Sequence, residues 1–467
     1  MRKGIFYYLF SILIFLLQSK IYSQIEFATN IIATDADGAN SVYATDVDGD
    51  GDMDVLSSSS NDNKIAWYEN DGNENFNTNI ITTLLDVAMS VYAADVDSNG
   101  DMDVLSASLL DGTIAWYEND GDENFTSHTI TALADYAVSV YAIDVDSDED
   151  MDVLSASSGD KIAWYENDGD ENFNTHIITP NVNGANSVFA IDVDGDGDID
   201  VLSASFNDNK IAWYENDGNE NFNSHIITTS ASWARSVYAI DIDGDEDIDV
   251  LSASQQDNKI AWYENDGDEN FTSHTITTSA IGTRSVYAAD VDGDGDVDVL
   301  SASYWDKIAW YENDGNENFS EHVITTLAVG TLSVFAADVD DDGDVDVLSA
   351  SWEDDKIAWY ENFPISGINE ENNFILISND LENYPNPFNP ITEIRYKLSE
   401  VSKVSLNVYN IKGQLVRTLV NEIKPSGEHS IIWNGKDKND FPVVSGIYFY
   451  RLDTESKNTT RKMVLLK

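Results

Sequence analysis

The sequence predicts an all-β protein: a seven-bladed β-propeller closed by its N-terminal strand, followed by a small C-terminal β-sandwich. Three observations carry this reading. A unit marked by "SVYA" or a close variant recurs seven times, at Val42, Val91, Val140, Val188, Val237, Val286 and Val334, with spacings of 48 or 49 residues. Each unit holds up to four short β-branched or aromatic runs separated by Asp, Asn and Gly, with no helix signal. The seventh unit stops after its third run, and an unmatched fourth run stands near the start of the chain.

At the N-terminus, Arg2 and Lys3 precede an apolar run from Ile5 to Leu17 and a polar stretch ending near the small Ser23. Residues 1–23 read as a secretory signal peptide. A membrane anchor is the rival, but 13 apolar residues are too few for roughly 30 Å of hydrocarbon. No other candidate span exists, so no membrane span is expected in the mature protein.

The four runs of a unit are "SVYAxD", "DVLSAS", "KIAWYEN" and "NFNTHIIT". The segment "EFATNIIAT", residues 26–34, aligns with the fourth run and supplies what the seventh unit lacks. A ring over residues 25–362 explains both defects and removes open sheet edges. An open solenoid would carry capping units instead.

Acidic residues number 86 against 24 basic ones, a formal charge of −62. Such a surface repels nucleic acid and anionic lipid, so no nucleic-acid partner is expected. A hydrophobic content of 42% with 11% aromatics supports a packed core rather than disorder. The absence of cysteine removes disulfides, thiolate metal sites and a cysteine nucleophile together. Residues 24–382 hold 78 acidic and 8 basic residues, whereas 383–467 hold 8 acidic and 13 basic, so the acidity belongs to the repeats. Residues 363–382 read as a linker. The alternating strand patterns and turns of 383–467 read as the β-sandwich.

Between the first and second runs of every unit lies an aspartate-rich turn such as "DVDGDGDMD". Unit charges about 4 Å apart repel by roughly 4 kcal/mol at an effective dielectric of 20, so a cation is expected among them. Many hard oxygens on a flexible loop suit Ca2+ better than octahedral Mg2+. Positions 1, 3, 5 and 9 are the candidate side-chain ligands, position 7 offers its carbonyl, and glycine at 6 permits the turn. The candidates are Asp46, Asp48, Asp50, Asp52 and Asp54 in the first loop, and Asp95, Asp97, Asn99, Asp101 and Asp103 in the second. The third has Asp144, Asp146, Asp148, Asp150 and Asp152; the fourth Asp192, Asp194, Asp196, Asp198 and Asp200. The fifth has Asp241, Asp243, Asp245, Asp247 and Asp249; the sixth Asp290, Asp292, Asp294, Asp296 and Asp298. The seventh has Asp338, Asp340, Asp342, Asp344 and Asp346.

An EF-hand would add a glutamate at position 12 and flanking helices, and neither is present. Glu149 and Glu246 replace the glycine at position 6, so the third and fifth loops are expected to bind more weakly or to adopt another geometry. Merely solvated acidic turns are the alternative; seven repetitions of one ligand spacing weigh against them. Catalysis by these carboxylates is disfavoured, because acid and base roles need differing environments and these recur nearly unchanged.

The Asp-rich loop, with "KIAWYENDG" and a following "NF", resembles the FG-GAP and VCBS repeat family over residues 25–362. That resemblance implies a propeller with Ca2+ in such loops. The tail resembles the type A sorting domain of type IX secretion in Bacteroidota, through "NYPNPFNPITEIRYKL" at 383, "VYNIKGQLVRTL" at 408, "SGIYFYRL" at 445 and the terminal "KMVLLK". It implies export across the outer membrane by that machinery, leaving the protein secreted or surface-attached.

Uniform turns serve structure, and differing turns can shape a site. The end of the propeller opposite the Asp loops varies between units and carries Tyr136, Phe206, Trp233, Arg235, Arg284, Tyr304, Trp305 and Trp352. Tyr, Trp and Arg are enriched at binding hot spots, so this end is the expected ligand face; packing between blades is the competing role for each ring. The regularly placed Trp67, Trp116, Trp164, Trp213, Trp262, Trp310 and Trp359 are expected in the core. His128, His176, His225, His274 and His322 share one place in the fourth run, where the first unit has Asn79, and are expected to be structural. The leading expectation is an exported, non-enzymatic calcium-binding propeller that recognises a glycan or protein. A polysaccharide lyase using Arg235, Arg284 and Tyr136 around an axial pocket is the alternative, and a structural adhesin is another.

Overall fold

The computed structural model describes residues 25–364, 381–384, 390–398, 402–410, 412, 415–438, 441–454 and 458–465. The expected signal peptide, most of the expected linker and residues 385–389 of the sorting-domain motif lie outside them. The chain divides into two compact units, Met1–Pro364 and Ile365–Lys467. The described residues form strands and turns, and no helix among them is long and apolar enough to cross a membrane.

The first unit holds seven antiparallel four-stranded sheets, the arrangement of a β-propeller of about seven blades. In the second repeat the strands are Ala88–Ala94, Asp103–Ser108, Ile114–Asn119 and Phe125–Thr131, in that order across the sheet. Burial follows the order: the second strand is buried at all six residues and the fourth alternates between half-buried and exposed. A strand covered on both faces favours small or apolar residues, and "DVLSAS" supplies them after its buried Asp103, which is held by hydrogen bonds. The period of two then sorts the faces. Leu56, Ile65 and Trp67 of the first sheet pack on Val91, Ala93, Val104 and Tyr117 of the second. Val55, Ala66 and Tyr68 face the other way, onto Leu348, Ala350, Ile357 and Trp359 of the last repeat. The seven repeat tryptophans are all buried, as expected.

The N-terminal strand Ile25–Ala33 is the fourth strand of the last repeat's sheet, pairing with Lys356–Pro364. Its register sets Asn30 opposite Trp359, as His176 stands opposite Trp164. Phe363 and Pro364, expected in the linker, instead continue this pairing with Glu26 and Ile25. Hydrogen-bonded ladders stay within each sheet, while side chains join neighbours. Tyr43, Tyr92, Tyr141, Phe189, Tyr238, Tyr287 and Phe335 on the first strands form a cycle of ring contacts 4.7–5.0 Å apart that returns from Phe335 to Tyr43. Ser333 Oγ accepts from the Val42 amide at 3.4 Å, as Ser90 Oγ does from that of Val140 at 3.3 Å.

The second unit is a small β-domain. One sheet contains Leu381–Tyr384, Thr392–Leu398 and Gly427–Trp433; the other contains Leu415–Lys424, Ser402–Asn410, Gly446–Asp453 and Asn458–Leu465. Both contribute to one core around Trp433, Tyr448, Tyr450 and Leu406. The buried indole of Trp433 donates to the Lys436 carbonyl at 3.0 Å.

Candidate functional site

Each Asp loop is held by its own carboxylates. Asp46 Oδ2 accepts from the Gly51 amide at 3.0 Å, Asp48 Oδ1 from Asp50 N at 3.2 Å and Asp50 Oδ1 from Asp52 N at 2.9 Å. The ninth residue is deeper: Asp54 is fully buried and accepts from Val47 N at 3.0 Å and Asn70 N at 2.7 Å. The same pair of bonds recurs at Asp103, Asp152, Asp200, Asp249, Asp298 and Asp346. The closing asparagine of "KIAWYEN" adds a staple between blades. Asn119 Nδ2 donates to the Val47 carbonyl in the preceding blade's loop at 3.0 Å, and Asn70 Nδ2 to that of Val339 at 3.1 Å. The side chain at position 7 lies against the neighbouring "NDG" turn: a Cβ on Gly121 would stand 2.7 Å from Asp101 Oδ2. That turn glycine is therefore required by space as well as by its left-handed φ of 74°.

The expectation of another geometry for the third and fifth loops is not met. Glu149 and Glu246 adopt φ of 74° and 76°, and their amides reach Asp144 Oδ2 and Asp241 Oδ2 at 3.0 Å, as Gly51 reaches Asp46. The surrounding bonds override the local preference, and the consequence is strain rather than a new loop. Position 4 is left-handed too, in Ser98, Ser147 and Asp341 as well as in glycines, a requirement the spacing of the aspartates does not reveal. Glu246→Gly should stabilise the fold by about 0.5–1 kcal/mol, the left-handed penalty less glycine's greater unfolded freedom. Urea unfolding would measure it; an unchanged or lower midpoint would refute the assignment of strain.

Asp46, Asp48 and Asp50 bring ligand oxygens within 4.8 Å of one another, as do Asp241, Asp243 and Asp245. In other loops the ninth residue joins the first and third: Asp95, Asp97 and Asp103; Asp144, Asp146 and Asp152; Asp192, Asp194 and Asp200. Burial, opposed by backbone hydrogen bonds, pushes Asp54 up to about 7 and Asp298 up to about 8. Asp146 and Asp340 rise to about 6, through burial first and their crowded neighbours second. Asp95 Oδ1 and Asp340 Oδ1 are buried without a hydrogen-bond partner. Converging hard oxygens, some lacking any donor, are residues that could hold a divalent cation.

The five repeat histidines pack within their blades. His128 stacks on Trp116 with centroids 4.5 Å apart, and its Nε2 lies 2.8 Å from Glu118 Oε2. Asn79 and Asn30 reach the equivalent Glu69 and Glu361 at 3.2 and 3.4 Å.

At the opposite end, second-to-third turns and blade connections interlock: Ala134 N donates to Gly112 O at 2.9 Å and Ala36 N to Asp355 O at 3.1 Å. Tyr136 and Trp233 sit in these connections with φ of 58° and 57°. Four other blades place Gly38, Gly184, Gly282 and Gly330 there, with φ of 70–73°, and the second blade places Val87, with φ of 68°. Two aromatic residues thus occupy backbone positions that glycine fills without strain, and both are exposed, at 54% and 38%. The signal in the sequence is the glycine that four of the aligned units share at this place.

Phe206, Trp233 and Arg235 form one group. The Phe206 and Trp233 rings are 5.0 Å apart, and the Arg235 guanidinium lies 3.9 Å from the Phe206 centroid. Arg284, Tyr304 and Trp305 form the next, with the guanidinium 5.3 Å from the Tyr304 ring and Tyr304 edge-on to the 61% exposed Trp305. Arg235 and Arg284 line a cavity of about 210 Å³. Its wall comes from the first strands of all seven blades, which places it on the axis. Tyr136 is absent from that wall, so the clustering of Arg235, Arg284 and Tyr136 around one pocket that the lyase alternative requires does not include Tyr136, whose connection lies outside the inner strands. Trp352 also stands apart: its Nε1 donates to Ser60 Oγ at 3.2 Å, joining the last blade to the first.

The family model described as FG-GAP-like repeat matches residues 46–106, 102–155, 144–203, 192–252, 241–301 and 290–349. The model described as FlgD Ig-like domain matches 391–458. No curated protein matches the sequence. Among solved structures the chain is similar to BBS1N, crystallised in complex with ARL6DN and soaked with lead, at 12% identity over 74% of this chain and 99% of that one, with a TM-score of 0.50. That likeness is one of fold. It is also similar to PorZ of Porphyromonas gingivalis, described as an essential bacterial surface component of the type-IX secretion system, at 13% identity over 89% of this chain and 58% of that one, with a TM-score of 0.44.

Proposed function

The chain belongs to the FG-GAP-like repeat family, and on that premise we propose that it is an exported calcium-binding propeller, closed by its own N-terminal strand, that recognises a glycan or protein at the cell surface. Ca2+ would be held by the carboxylates at loop positions 1, 3, 5 and 9 and the carbonyl at position 7. Bound there, the ion neutralises the crowded charges. The observation that carries the recognition role is the strained, exposed placing of Tyr136 and Trp233 where four blades use glycine and one uses the half-buried Val87. Backbone strain maintained at exposed aromatic residues points to use of those side chains. The lyase alternative keeps two arginines in the axial cavity but loses Tyr136 as proton carrier.

The tail is proposed as the sorting domain of type IX secretion. Its quoted motifs, basic character and the Ig-like match at 391–458 support this reading. In a host with that machinery, the full chain should reach the surface or medium and a chain ending at Pro364 should stay inside. The recovered, calcium-loaded protein is then applied to glycan and whole-cell protein arrays. Retained binding is expected for the wild type, with at least a tenfold loss in Trp305→Ala, as for an interfacial hot spot. Wild-type protein binding nothing on either array, while cleaving polyuronate to an unsaturated product, would favour the lyase.

A further inference from the structure

Residues 25–364 contain only two arginines, Arg235 and Arg284, and both occupy the same place in adjacent first strands. Arg235 is held by neutral groups: Nε donates to Gln255 Oε1 at 2.8 Å and Nη1 to Asn186 Oδ1 at 2.9 Å, with a face on Phe206. Arg284 Nε is buried with no partner. Among the described residues no carboxylate pairs with either guanidinium, in a chain carrying 86 acidic residues. Burial and then the neighbouring Arg284 push Arg235 down to about 9, the direction expected for two like charges lacking a counter-ion.

Resting on the recognition role above, we propose that the axial cavity binds the carboxylate of a uronic-acid residue within an otherwise neutral glycan. Planar guanidinium forks match a carboxylate by paired hydrogen bonds. Met89 and Val138 across the ring from the arginines, and Leu332 beside Arg284, supply apolar surface that suits the uncharged face of a sugar ring, while Phe206 and Trp233 extend a stacking surface beside Arg235. A net charge of −62 repels a polyanion, so sparse carboxylates fit and a continuous polyuronate does not.

The test is calorimetric titration of calcium-saturated full-length protein with methyl glucuronide and methyl glucoside. Charge-assisted bonds predict a preference for the glucuronide of roughly tenfold or more. Arg284→Gln should abolish that preference, and Lys424→Gln in the C-terminal unit should not. Should Arg284→Gln fail to fold, Arg284→Lys keeps the charge, loses the fork and is expected to weaken the glucuronide severalfold. Equal binding of the two sugars, or undiminished glucuronide binding in either arginine variant, would overturn the inference. Were an array ligand lacking a carboxylate to lose binding in Trp305→Ala but keep it in Arg284→Gln, the inference would fail while the broader recognition role stood.

Discussion

Chelated protein is expected to melt about 10 °C or more below the calcium-saturated form, with the gap wider at pH 8 than at pH 5. An ion at a hundred times its Kd contributes roughly 2.7 kcal/mol per site, so three occupied loops supply about 8 kcal/mol. In a propeller of this size 1 kcal/mol moves the midpoint by roughly 1–2 °C. The pH term follows from the buried ninth aspartates. Asp54, Asp103, Asp152, Asp200, Asp249 and Asp346 are pushed up to about 7 and Asp298 to about 8, in each case by burial. Their folded values lie above the unfolded value of 3.8, so the folded state binds more protons between these limits. Stability without metal is therefore fully present below about pH 4 and lost as pH rises through about 7. In the proposed sites calcium would replace the proton as the compensating charge, so its increment should grow with pH. Scanning calorimetry with and without chelator at the two pH values checks this. A chelated midpoint that equals the loaded one, or rises from pH 5 to 8, would remove the metal reading.

Trp233→Gly is expected to leave the fold as stable as before, or up to about 1 kcal/mol more stable, while weakening ligand binding by roughly thirtyfold or more. The backbone bond at this place survives, because Trp233 N donates to Asn209 Oδ1 at 2.9 Å as Gly282 N donates to Asn258 Oδ1 at 2.9 Å. Glycine relieves the left-handed strain, which offsets the removal of ring packing against Phe206. Binding loses a large exposed ring beside the axial arginines. Opposite signs in stability and affinity separate a recognition residue from a packing residue, which would lose both. Denaturant unfolding and titration against the array ligand supply the two numbers; a loss of more than 1 kcal/mol in stability with unchanged affinity would assign Trp233 to packing.

Much of the fold was legible because repetition exposes it. Seven units give the strand boundaries, the buried tryptophans and the alignment of Asn30 with His176, which the register against Trp359 and Trp164 reproduces. The candidate loops were legible through their spacing. Less visible was how they are built: the ninth aspartate lies under the loop and caps two backbone amides, and Asn119 ties the loop of the preceding blade through Val47. Glu149 and Glu246 keep the common loop geometry for a physical reason: glycine preference reports the cost of a left-handed residue and not whether surrounding bonds can impose it. Tyr136 and Trp233 stand out by their chemistry alone, whereas their strained backbone emerges only beside Gly38 and Gly184, which mark the same place in other blades.

Sequence alone determined the all-β class, the repeat, the two compositionally distinct parts and the residues available at each end, because strand alternation and turn chemistry depend on near neighbours. Tertiary structure decided which residues meet. Arg235 and Arg284 are 49 positions apart yet share one cavity, and Tyr43 meets Phe335 across almost the whole repeat array. Such contacts depend on the twist and packing of successive sheets around the axis, which no local stretch of sequence encodes.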